Sequence, residues 1–184
     1  KGSNMITRIY AKYMPAPFLS IITDDCITNG KDYNAGGARY NTNYLQGVGI
    51  GTITDSLSAI KYNVYDKKNF TMGELMKALQ DNFEGEEHVR LYNLVSRKTP
   101  KYGNDDDYVD QLIVDAYDVY INEVKKYPNT RYGRGPIGGT RYAGTSSISA
   151  NVGQGKGTLA TPDGRNAATP LAEGCSPSHG MDKN

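Results

Sequence analysis

The chain has 184 residues, of which 38% are hydrophobic, and a formal net charge of +1; its mean hydropathy is −0.61. That length suffices for one globular domain with a core, and the balanced charge gives no electrostatic case for a nucleic acid or an anionic membrane as partner. No apolar run approaches the roughly 20 residues of a membrane span and the first residues carry no export signal, so a soluble, cytoplasmic protein is expected.

Two Pro residues, Pro15 and Pro17, divide a helix over residues 5–13 from a second over 18–28, where Phe18, Ile21, Ile22 and Cys26 recur at helical spacing. Cys26 reads as a buried thiol. The adjacent Gly36 and Gly37 permit a positive-φ turn, followed by a short extended segment. A helix is expected over 54–65, with Leu57, Ile60 and Val64 on one face and Asp55 placed to cap its start. Thr71-Met72-Gly73-Glu74 is a capping box ahead of Leu75, Leu79 and Phe83. Further helices are expected over 86–96 and from Asn104 to Pro128, the second opened by Asp105, Asp106 and Asp107, which complement the helix dipole. Residues 1–128 are therefore mainly helical. Residues 129–184 are loop-rich, with one strand expected in the run Ser146-Ser147-Ile148-Ser149-Ala150-Asn151-Val152.

Few residues point to chemistry. Cys26 and Cys175 are too isolated for a disulfide framework or a CxxC metal site. Gly47-Val48-Gly49-Ile50-Gly51 lacks the GxGxxG spacing, and in Gly153-Gln154-Gly155-Lys156-Gly157-Thr158 a glycine separates the lysine from the hydroxyl, so neither fits a phosphate loop. His88 reads as a solvated helix residue, and His179 is a candidate for lining a pocket. The 15 Tyr residues lack basic interleaving and are assigned to packing. No metal ligand set is indicated.

Several whole strings carry more information. Pro15-Ala16-Pro17-Phe18-Leu19-Ser20, Asp24-Asp25-Cys26, Gly36-Gly37-Ala38-Arg39-Tyr40-Asn41, Gln46-Gly47-Val48-Gly49, Asp55-Ser56-Leu57-Ser58-Ala59-Ile60-Lys61, Lys101-Tyr102-Gly103-Asn104-Asp105 and Thr161-Pro162-Asp163-Gly164-Arg165 occur in one order over nearly the whole chain. Together they resemble the glycyl radical enzymes, the pyruvate formate-lyase-like family, in its branch of dehydratases, lyases and decarboxylases.

The resemblance implies an α/β fold, part of a ten-stranded α/β barrel, with mostly helices and a few short strands in this window. It implies an anaerobic, cytoplasmic lyase acting on a small polar molecule through a thiyl radical. The runners-up are a pyruvate formate-lyase type acyltransferase and a non-catalytic scaffold. A radical-SAM activating enzyme and a homodimer are the implied partners. No cofactor is expected to be bound; the family's glycyl radical and its cysteine would lie outside this window, so no catalytic residue is expected within it. Arg141-Tyr142-Ala143-Gly144 resembles the radical-glycine motif but precedes the Thr161–Arg165 segment, and Gly174-Cys175 lacks the hydrophobic-Glu pair of the cysteine motif. The abrupt ends fit an internal window. A strand over 141–152 is implied to face the substrate, giving Arg141, Thr145, Ser147, Ile148 and Ser149 as candidate substrate-binding residues. A guanidinium at Arg141 would suit a carboxylate or sulfonate, and strand alternation would present either Ser147 and Ser149 or Ser146 and Ile148.

Overall fold

The computed structural model describes residues 2–41, 43–129, 141–145 and 149–178. They fall into two compact units, one formed by Lys1–Gln46 with Val119–Gly144 and the other by Gly47–Asp118 with Thr145–Asn184.

In the first unit, α1 (Gly2–Tyr13) and α2 (Pro17–Ile22) are separated by the two prolines. The second helix is shorter than its apolar spacing suggests, because the chain breaks into turns after Ile22 and Asp25 takes φ 72°. Cys26 is buried at 2% exposure, as expected, and burial pushes its thiol pKa up. Asp32 organises the following loop: Oδ2 accepts from the Ala16 amide and the Ser20 hydroxyl, both at 2.8 Å, and Oδ1 accepts from the Asn34 amide at 2.8 Å. The paired glycines serve different ends. Gly36 takes φ +88°, whereas a Cβ on Gly37 would sit 2.0 Å from the Lys31 carbonyl oxygen. Arg39 then grips Asp25 through Nε at 3.1 Å and Nη2 at 2.9 Å. Strand β1 (Asn43–Gln46) pairs in parallel with β2 (Arg141–Gly144), Asn43 opposite Arg141 and Gln46 opposite Gly144.

The second unit contains α3 (Ile50–Ile60), α4 (Met72–Gln80), α5 (Val89–Asn93) and α7 (Ala150–Lys156), while α6 (Asp107–Val124) has its first part here and its last six residues in the first unit. Its core is Ala59, Phe70, Leu75, Ala78, Phe83, Leu91, Val95 and Ala160, with Ile60, Val64 and Leu79 packed against it. The capping box is present in full: the Thr71 hydroxyl accepts from the Glu74 amide at 3.2 Å, and Glu74 accepts from the Thr71 amide at 2.7 Å. At α6, Asp106 accepts from the Tyr108 amide at 3.0 Å, a helix-start role.

Three further expectations are corrected. α3 begins at Ile50 behind Gly49 (φ +80°) and continues as a π-helical turn over Lys61–Asp66, so Asp55 lies mid-helix, fully buried, and caps nothing. Its buried face carries Thr52, Thr54, Ser56, Ser58 and Ala59, leaving Leu57 on the outside at 38% exposure. His88 is not solvated. It is 5% exposed, and its Nε2 donates to Asp81 Oδ2 at 2.9 Å, tying the turn at Glu86–His88 to the end of α4. The expected strand over 146–152 is replaced in its second half by α7: Ser149 stands at φ −70°, ψ 4° as its N-cap residue, and the extended segment lies earlier, at β2. The β-branched Ile148 and Val152 suggested a strand, but residues 150–156 complete helical turns that rest on the chain at 169–171, where a Cβ on Gly155 would come 2.3 Å from the Thr169 carbonyl oxygen. Glycine is required there for packing. Ser146, Ser147, Ile148 and His179 lie outside the described residues.

Candidate functional site

A parallel strand pair has two faces, and here they differ in kind. Asn43, Leu45, Arg141 and Ala143 share one face through the register. α1 covers it: Asn43 Nδ2 donates to the Thr7 hydroxyl at 3.2 Å, Arg141 Nη1 donates to the Ser3 hydroxyl at 2.9 Å, and Arg141 Nη2 donates to Asn4 Oδ1. Asn4 is itself fixed by donating to the Pro128 carbonyl at 3.1 Å. Arg141 is 6% exposed and lines a cleft of about 370 Å³ with Ser3, Asn4, Leu45, Tyr127 and Pro128. Among the described residues no carboxylate forms an ion pair with it. The opposite face carries Tyr44, Gln46, Tyr142 and Gly144. Tyr44 and Tyr142 meet edge to face, with centroids 5.4 Å apart and planes at 84°. A Cβ on Gly144 would lie 2.9 Å from the Tyr44 ring, so glycine makes room for that ring.

The second unit holds a buried polar network built from the family-like strings. Asp55 Oδ1 accepts from the Tyr102 amide at 2.8 Å and Oδ2 accepts from the Ser178 hydroxyl at 2.7 Å. Burial nonetheless pushes the Asp55 carboxyl pKa up. Lys101, 2% exposed, donates to the Asp163 carbonyl at 2.7 Å, and its pKa is lowered by burial against the opposing fields of Asp55 and Asp163. Asp163 Oδ1 receives the Thr161 hydroxyl at 2.5 Å and the Arg165 amide at 3.3 Å. The Arg165 side chain fans out to the carbonyls of Thr158 (3.3 Å), Leu159, Asn166 (3.0 Å) and Thr169 (2.6 Å) and to the Thr161 hydroxyl (3.1 Å). These are bracing contacts that fix a loop. Nothing in composition or periodicity marks Lys101 or Arg165 as buried; only the strings that contain them single them out.

The candidate substrate residues have different local surroundings. Arg141 lies on the helix-covered face, Ser149 at the start of α7, and Thr145 donates to the Gly47 carbonyl at 3.2 Å. Ser147 and Ile148 lie outside the described residues. Cys175 is exposed. Among the described residues, Asp81, Glu87 and His88 bring ligand atoms within 4.8 Å of one another, but Asp81 is already bound by Lys77 at 2.7 Å and His88 at 2.9 Å, and ion pairing accounts for the cluster. No helix among the described residues is long and apolar enough to cross a membrane.

Comparison with known proteins places these features in context. The pyruvate formate lyase-like family model matches residues 1–155. The chain is 52% identical over 184 residues to the trans-4-hydroxy-L-proline dehydratase of Clostridioides difficile, covering all of this chain and 22% of that protein. It is 51% identical over 163 residues to the probable dehydratase YbiW of Escherichia coli, covering 89% of this chain and 20% of that protein. Its fold superposes with a TM-score of 0.88 on the crystal structure of the Clostridioides difficile hydroxyproline dehydratase with trans-4-hydroxy-L-proline bound, at 52% identity over 100% of this chain and 22% of that one. The chain therefore spans about a fifth of the length of these relatives.

Proposed function

The chain belongs to the pyruvate formate lyase-like family of glycyl radical enzymes, with the fold of part of that family's α/β barrel, and on that premise we propose that it is a segment of a dehydratase acting on a small hydroxylated molecule. The observation that carries the reading is that two relatives above 50% identity are both described as dehydratases. The acyltransferase alternative has no comparable support.

In this reading the glycyl radical is a modification outside the 184 residues, installed by a radical-SAM activating enzyme, and would supply, by way of a cysteine thiyl, hydrogen-atom abstraction from substrate. The net change is loss of one water, with the abstracted hydrogen returned to product. The residues present here contribute position. The Asp55–Lys101–Asp163–Arg165 network braces the loop over 158–169, and Thr145 is held separately by its hydrogen bond to the Gly47 carbonyl. Thr145, Ser147 and Ile148, which follow β2, are the proposed substrate-facing residues. Arg141 braces α1, and Ser149, at the N-cap position of α7 without a capping hydrogen bond from its side chain, remains a candidate beside them. A homodimer is the proposed assembly.

The test is turnover by the complete reading frame, activated anaerobically and offered trans-4-hydroxy-L-proline, glycerol, propane-1,2-diol and isethionate in parallel. Water loss from a hydroxylated substrate supports the proposal. Release of sulfite from isethionate with no dehydration of the others would reassign the enzyme as a C–S lyase.

A further inference from the structure

Parallel sheets are normally buried on both faces, and in α/β barrels the helices lie outside while the other strand face fills the interior. In this chain one face of the β1–β2 pair is already occupied by α1, through Thr7, Ser3 and Asn4. The other face is bare among the described residues: Tyr44 is 53% exposed, Tyr142 39%, and Gln46 is exposed as well. We infer that Tyr44 and Tyr142 face the interior of the complete barrel and form one wall of its substrate cavity, with Gly144 conserving the space that the Tyr44 ring occupies. The inference rests on the family fold and on the proposal of a small hydroxylated substrate.

The chemistry fits such a substrate. Two phenol rings held edge to face at 5.4 Å present apolar surface for a short carbon skeleton, and each carries one hydroxyl able to donate to a substrate hydroxyl or carboxylate oxygen. Among the described residues no helix competes for that face, because α1 and the Tyr127–Pro128 corner both meet the Arg141 side. Register strengthens the assignment. Tyr44 stands opposite Tyr142 and Gln46 opposite Gly144; a shift of one residue in β2 would send Tyr142 to the helix side and Arg141 to the interior, and a shift in β1 would send Tyr44 to the helix side.

Two measurements decide it. A crystal structure of the complete protein should show both phenols opening into the enclosed barrel cavity and Arg141 among the outer helices; a Tyr44–Tyr142 face covered by a helix or by another subunit overturns the inference, whatever the substrate proves to be. In the activated complete enzyme, with trans-4-hydroxy-L-proline as probe, Tyr44→Phe and Tyr142→Phe should each raise KM about three- to tenfold, the loss of one hydrogen bond, with the glycine radical signal unchanged. KM and kcat both within twofold of the parent in both variants would overturn the substrate-facing role. Absence of turnover by the parent counts against the dehydratase proposal, and the crystal structure still decides the position of the tyrosines.

Discussion

Replacing Arg165 should loosen the loop over residues 158–171 more than any other single change in the second unit. Arg165 is 5% exposed, and its guanidinium donates to the carbonyls of Thr158, Leu159, Asn166 and Thr169. A net value of about 1 kcal/mol for each such bond puts Arg165→Ala near a loss of about 4 kcal/mol, in the range of a broken buried network. Arg165→Lys keeps the charge but has at most three donors on one nitrogen and cannot reach carbonyls on both sides, so about half of the loss should remain. Denaturant unfolding gives the total. Amide exchange gives the location: the Ala168 amide, bonded to the Thr158 carbonyl at 3.1 Å, and the Thr161 amide, bonded to the Arg165 carbonyl at 2.9 Å, should lose protection first. A change under about 1 kcal/mol for Arg165→Ala, with both amides still protected, would refute the bracing role.

Three further outcomes are expected. Thr71→Ala should cost about 1 kcal/mol by removing half of the capping box, and Thr71→Ser close to nothing, measured by thermal unfolding. In α7 the same substitution should act with opposite signs: Gly153→Ala, with nothing within 4 Å of the new Cβ, should stabilise by about 0.5–1 kcal/mol. Gly155→Ala meets the Thr169 carbonyl oxygen at 2.3 Å and should destabilise by about 1–3 kcal/mol. Burial holds the Asp55 pKa above its ordinary value, so its contribution to stability is present at low pH and is lost as pH rises through the folded-state value. Asp55→Asn, which cannot ionise, should therefore gain on the parent as pH rises above about 4; parallel stability-against-pH curves for the two proteins would contradict this.

How far the sequence speaks for itself depends on how local the determining contacts are. The capping box at Thr71 and Glu74 is complete within four residues and was legible, as was the glycine turn at Gly36. Asp55 was misread because its partners, Tyr102 and Ser178, lie 47 and 123 residues away, and a lone acid near a helix start looks like a cap. His88 was misread because its burial depends on the turn at Glu86–His88, which folds the imidazole inward onto Asp81. The family-like strings gave the fold correctly, while their residues turned out to be braces. For β2 the limit was shortness, since Arg141-Tyr142-Ala143-Gly144 has no alternating pattern of its own and its faces are defined only by pairing with β1 and by cover from α1.

The central claim, membership of a working radical enzyme, is tested most directly by electron paramagnetic resonance on the complete protein after anaerobic treatment with an activating enzyme. A glycine-centred doublet is the predicted result. A spectrum without any protein radical, from folded protein and an activating enzyme shown to be competent on a relative, would contradict it.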